Sequence, residues 1–127
     1  MPSPNETKIS RLILRLTKAT VDQEIEWGTK AQPPQLDHGT DDVISFYVET
    51  EYKGQTIGLY ERRYRAYDGE HDIQYWTGTN ALAFVGTFPR REIVWEHREN
   101  SSALENLIRI ARESASGIDE ILDDLLK

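Results

Sequence analysis

Ile9, Leu12, Ile13, Leu16 and Ala19 recur at intervals of three and four residues, while Arg11, Arg15 and Lys18 fall largely on the opposite side. That period places the apolar residues on one face of an α-helix. Ser3-Pro4-Asn5-Glu6 supplies a start for it: a capping hydroxyl, a proline tolerated in the first turn, and an acid three residues after the serine. Asn5 is an equally good cap. The pattern predicts a helix over about 5–22. Glu24-Ile25-Glu26-Trp27 then alternates, predicting a short strand over 24–28. Residues 28–42, with Pro33-Pro34, His38-Gly39 and Asp41-Asp42, hold almost no apolar content and read as a long loop, either disordered or a functional flap.

From Val43 the period becomes two. Ile44, Phe46 and Val48 alternate with Ser45, Tyr47 and Glu49, predicting a strand over 43–51, and Tyr52-Lys53-Gly54-Gln55 supplies a turn. A second strand is expected over 56–67, with Ile57, Leu59 and Glu61 facing one way and Gly58, Tyr60, Arg62 and Tyr64 the other. A third is expected over 73–78 and a last over 91–97, with Ile93 and Trp95 on one face. The apolar run 81–88 is bounded by Gly78, Gly86 and Pro89 and reads as strand too. Connections this short imply antiparallel neighbours, because parallel strands need long crossovers. Ser102-Ala103-Leu104-Glu105 repeats a capping-box pattern. Leu104, Ile108, Ala111, Ala115, Ile118, Leu122 and Leu125 then form one seam over 102–126, with Gly117 the place for a kink or a break. The expected fold is α+β over a single domain, 1–127. An antiparallel sheet of four to five strands would pack against an N-terminal helix and a C-terminal helical segment.

Composition narrows the chemistry. The 38% apolar content is modest, but it is gathered into periodic segments, which argues against disorder. There is no cysteine, so disulfides, thiol nucleophiles and cysteine-ligated zinc are excluded, and a reducing cytoplasm is the expected compartment. No signal-peptide pattern opens the chain and no apolar run could span a bilayer. The formal net charge of −7 argues against nucleic acid as a partner.

Asp68-Gly69-Glu70-His71-Asp72 offers acids and a histidine in one short run, but Asp-Gly is also what a hairpin turn uses, and a solvated turn is the favoured reading. His38, His71 and His97 belong to no catalytic or metal-binding motif, and the glycines make no phosphate cradle. Arg62, Arg63 and Arg65 interleave with Tyr60, Tyr64 and Tyr67, yet strand alternation divides them between two faces. Asp119, Glu120, Asp123 and Asp124 pair at helical spacing and repel, so a basic partner would relieve them.

Two segments resemble a pattern in small uncharacterised bacterial proteins. One is Leu12-Ile13-Leu14-Arg15-Leu16-Thr17-Lys18-Ala19-Thr20 followed by Ile25-Glu26-Trp27; the other runs from Leu104 through Ile118 to Leu126. The resemblance implies a bacterial protein of helix–sheet–helix order from a family of unknown function, and carries over no activity or site residue.

The leading functional expectation is a non-enzymatic cytoplasmic protein-interaction or regulatory domain, needing no metal or cofactor. Its partner-contacting residues would be Arg62, Tyr64, Trp76, Trp95, Asp119 and Asp123. A homodimer through Leu104, Ile108, Ile118, Leu122 and Leu125 competes with packing of those residues on the chain's own sheet. Sheet packing is preferred, because the apolar sheet face needs a cover. The rival is a small-molecule binder or enzyme with a cleft between the sheet and loop 28–42, lined by Trp76 or Trp95.

Overall fold

A computed structural model describes residues 4–36, 41–87 and 89–127. Helix α1 spans Pro4–Val21, a single 3-10 turn spans Pro34–Leu36, and strands β1 (Val43–Tyr52), β2 (Gln55–Asp68), β3 (Ile73–Gly86) and β4 (Glu92–Glu99) follow. Helices α2 (Ser102–Ser116) and α3 (Ile118–Leu125) close the chain. The strands form one antiparallel meander in the order β1-β2-β3-β4, so the fold is α+β as the alternation predicts.

Three expectations change. Residues 24–28 are not a strand: only Gly28 bridges, to Glu49 on the outer edge of β1, through N–H···O bonds of 2.8 and 3.0 Å. Trp27 is drawn into the core there instead, its Nε1 donating to Thr20 Oγ1 at 2.9 Å. The stretches 73–78 and 81–88 are one long strand as far as Gly86, because Gly78 pairs with Arg63 without interrupting the ladder. Ser101, not Ser102, caps α2, its hydroxyl accepting the Leu104 N–H at 3.1 Å. The proposed cap at Ser3, the loop segment 37–40 and Phe88 lie outside the described residues.

The helices cover one face of the sheet. Ile13 and Leu16 of α1 and Leu104, Leu107, Ile108 and Ala111 of α2 bury against Val48, Ile57, Leu59, Leu82 and Trp27. Each buried leucine or isoleucine stabilises by roughly 1.5–3 kcal/mol. The seam read from Leu104 to Leu125 divides at Gly117, which takes a left-handed φ of 70° and ends α2. Its first half packs on the sheet. Its second half, on α3, has no buried residue.

The opposite face is covered by the loop before β1. Leu36, only 1% exposed, sits on Tyr47, Tyr60, Ala81 and Ala83, with Ile44 and Ile93 beside it. Gln35 accepts the Ile93 N–H at 2.8 Å and Arg91 donates to the Ala31 carbonyl at 2.7 Å, tying the loop to the β4 side of the sheet. The small side chains of Ala81 and Ala83 leave room for those of Tyr60 and Arg62 to cross β3 and reach Glu96 on β4. Gly58 serves the same packing: a Cβ there would lie 2.7 Å from the Tyr47 hydroxyl oxygen.

Candidate interaction surface

β2 and β3 outrun their neighbours. β1 registers on β2 only as far as Val43↔Arg63, and β4 on β3 only as far as Asn80↔Glu99. Beyond them Tyr64↔Thr77, Arg65↔Trp76, Ala66↔Tyr75, Tyr67↔Gln74 and Asp68↔Ile73 pair with each other and, among the described residues, with no third strand. At ~3.4 Å per residue this is a two-stranded ribbon roughly 17 Å long. Asn100 marks where it leaves the sheet: its side-chain oxygen accepts the Asn80 N–H at 3.2 Å and its amide donates to the Gly78 carbonyl at 3.4 Å.

The alternation of 64–77 follows no buried side, so both faces of the ribbon carry aromatic residues. Arg65, Tyr67 and Trp76 project on the helix side; Tyr64, Ala66 and Tyr75 project on the other. Tyr67, Ile73, Tyr75 and Trp76 are exposed, Trp76 by 44%. The Arg65 guanidinium lies 5.1 Å from the Trp76 ring centroid, a cation–π contact that fixes the indole without covering it. At the tip, Asp68 accepts the Glu70 N–H at 3.0 Å and meets His71 Nδ1 at 2.8 Å, while the Tyr67 hydroxyl donates to Asp72 at 2.5 Å. The acids of the tip therefore shape the turn. No group of three or more metal-ligating side chains converges among the described residues.

Arg62 is placed differently from Tyr64. It is buried, donating to Asp42 and to Glu96 at 3.1 Å each, and its Nε has no partner among the described residues. Glu96 also accepts from the Tyr60 hydroxyl and, at 2.5 Å, from Arg98. A second cluster lies beside it, where Glu49 accepts from Tyr47 at 2.7 Å and from both terminal nitrogens of Arg91 at 3.0 and 2.9 Å. Burial alone pushes the Glu49 and Glu96 carboxyls up. The hydrogen bonds from Arg91 and Tyr47, and from Tyr60, Arg98 and Arg62, outweigh it and hold both below the ordinary carboxylate range. The same burial, with a carboxylate alongside, pushes the Tyr47 and Tyr60 phenols well up, so both remain donors. These charges satisfy one another within the fold. Sequence reasoning missed the Glu49–Arg91 pair, since nothing in strand alternation brings residues 42 apart in sequence together.

Trp95 lies apart from Trp76. It packs on Phe84 (centroids 4.7 Å apart) and His97 (5.9 Å) and lines a cleft of about 430 Å³ between α1 and β4, with Ile9 and Leu12 opposite. The cleft between the sheet and loop 28–31 is polar, about 450 Å³, and lined by Lys30, Glu49, Thr50 and Arg91 among others; neither Trp76 nor Trp95 reaches it. A larger groove of about 1010 Å³ runs beside α2, floored by Phe46, Val48, Ile108 and Ala115, with Arg112 4.3 Å above the Phe46 ring. Asp119 and Asp123 stand on α3, Asp119 accepting from Gln23 at 3.1 Å. The predicted contact residues thus fall in four places: Tyr64 and Trp76 on the ribbon, Arg62 inside the second face, Trp95 at the α1 cleft, and the two aspartates on α3. None of the described helices is long and apolar enough to cross a membrane. Compared with family models, curated proteins and solved structures, the chain matches none of them.

Proposed function

We propose that this chain is a cytoplasmic protein-interaction domain that binds an extended segment of a partner protein along the β2–β3 ribbon. The observation that carries this reading is the overhang itself. From Thr77 outward the free edge of β3 offers main-chain N–H and C=O groups to an added strand, as in recognition by strand addition. Trp76 on one face and Tyr75 on the other would receive alternate side chains of that segment. A long edge bearing exposed apolar residues is an aggregation liability that soluble proteins ordinarily blunt. Its persistence here supports an occupant.

The test places a photoreactive residue at position 75 and maps the adducts to a partner sequence. A synthetic peptide of that sequence is then added to the full chain. Slowed amide exchange at Gln74 and Trp76, together with loss of binding in Trp76→Ser, is the expected result. Adducts confined to other surfaces, or exchange at Gln74 and Trp76 unchanged by the peptide, would overturn the reading.

A further inference from the structure

α3 and the outer side of α1 are complementary, and we infer that two copies of this chain pair by seating α3 of each on α1 of the other. This stands independently of the ribbon.

Ile118, Ile121, Leu122 and Leu125 fall at i, i+3, i+4 and i+7, the anchor spacing of a helix that lies in an apolar seat. All four are exposed, Leu125 by 75%. A helix of eight residues is too short to hold by itself in water and needs cover on its apolar stripe. Asp119, Glu120, Asp123 and Asp124 form its other side, and it contains no basic residue. The seat must therefore be apolar with basic flanks.

Two surfaces of the chain can be weighed. The groove beside α2 is apolar at its floor, but Glu61, Glu105 and Glu113 outnumber Arg109 and Arg112 along it, Arg109 is already paired with Glu113 at 3.2 Å and Arg112 lies over the Phe46 ring, so an acidic helix meets a net acidic rim there. α1 fits better. Leu14 (63% exposed) and Val21 (65%) lie two turns apart on its outer face, with Lys18 between them and Arg11 and Arg15 alongside. Among the described residues Arg11 and Arg15 make no ion pair and Lys18 bonds only Asp22. The chain's own α3 is poorly aimed for this seat. Asp119 touches Gln23 just past α1, whereas Ile118, on the apolar stripe, lines the groove beside α2. A second copy supplies the helix. Because each copy carries both a seat and a helix, a two-fold pair makes the contact twice. A helix about 12 Å long covers too little for a specific interface of roughly 1,200 Å² when used once.

Sedimentation of the full chain from about 1 μM to about 1 mM should show a monomer passing to a dimer, with the midpoint moving to higher concentration as salt rises. Leu122→Asp with Leu125→Asp, both at exposed positions that leave the core intact, should weaken pairing at least about 30-fold. The decisive arm is a charge swap. Arg11→Glu with Arg15→Glu gives one variant, acid on both helices; Glu120→Lys, Asp123→Lys and Asp124→Lys together give another, net basic on both. Each alone should be monomeric, and an equimolar mixture should form the mixed pair, since both of its contacts then join opposite charges. A monomer throughout the concentration range, a dimer indifferent to Leu122 and Leu125, or swap variants that do not pair would overturn the proposal. A monomer whose α3 is covered only by an added basic amphipathic peptide would overturn it in favour of a foreign partner.

Discussion

Leu36→Ala tests whether the loop before β1 is part of the folding core. The side chain is buried to 1% exposure against Tyr47, Tyr60, Ala81 and Ala83. Truncating a buried leucine costs 2–5 kcal/mol, more where the surroundings cannot collapse into the space. Here the loop is pinned twice just before Leu36, by Gln35 to Ile93 and by Arg91 to Ala31, so relaxation is limited. The tyrosines beneath are held by their carboxylates. We take ~3 kcal/mol as the expected cost. For 127 residues, at about 0.05–0.15 kcal/mol each, total stability lies between roughly 6 and 19 kcal/mol, so the loss is a substantial fraction of it. Urea unfolding followed by tryptophan fluorescence, with m of about 1–3 kcal/mol/M, should show the midpoint falling by about 1–3 M with m unchanged. A midpoint within about 0.3 M of the parent would mean the loop does not seal the second face, and the account of that face would fail.

Gly58→Ala should cost about 1–3 kcal/mol, because the new methyl would meet the Tyr47 ring and hydroxyl at 2.7–3.0 Å while that ring is held by Glu49; calorimetry reads it as a lowered Tm, and an unchanged Tm would refute it. Acid should destabilise the chain through Glu49 and Glu96. Both carboxyls titrate lower in the folded than in the unfolded state, so their contribution is complete above the ordinary value of 4.5 and is lost as pH falls through the lower folded values. Urea midpoints should be level from about pH 7 to about pH 5 and drop below that, and Glu49→Gln should flatten part of the drop. Gly117→Asn should be tolerated and Gly117→Val should lower stability by about 1–2 kcal/mol, since φ of 70° suits asparagine far better than a β-branched residue; equal Tm values for the two would count against the left-handed joint.

Periodicity was enough to place both ends of the fold and the sheet between them, since Ile13, Leu16, Leu104 and Ile108 bury as their spacing demands. It failed at Ile25-Glu26-Trp27, where alternation reflected Trp27 entering the core beside α2 (its backbone N–H donates to Ser114 Oγ at 3.2 Å) and not a strand. The second face was hidden for a different reason. Its cover is an irregular loop with one decisive leucine, and its polar residues are matched by partners far away in sequence, such as Glu49 with Arg91. The ribbon was legible as strand but not as overhang, because the reach of β2 and β3 matters only relative to where β1 begins and β4 ends. That Arg62 is buried while Tyr64, two residues on, stands on the ribbon follows from the same fact.

The Asp42–Arg62–Glu96 linkage sits at the root of that overhang. Asp42 immediately precedes β1, Arg62 is on β2 and Glu96 is on β4, so one guanidinium joins three segments just where the paired strands leave the body. Any pull or twist on the outer strands arrives first at this cross-brace and at the Asn100 clasp on the other side of β3. A load on the outer ribbon is thus shared among three segments before it reaches the layers beneath the helices.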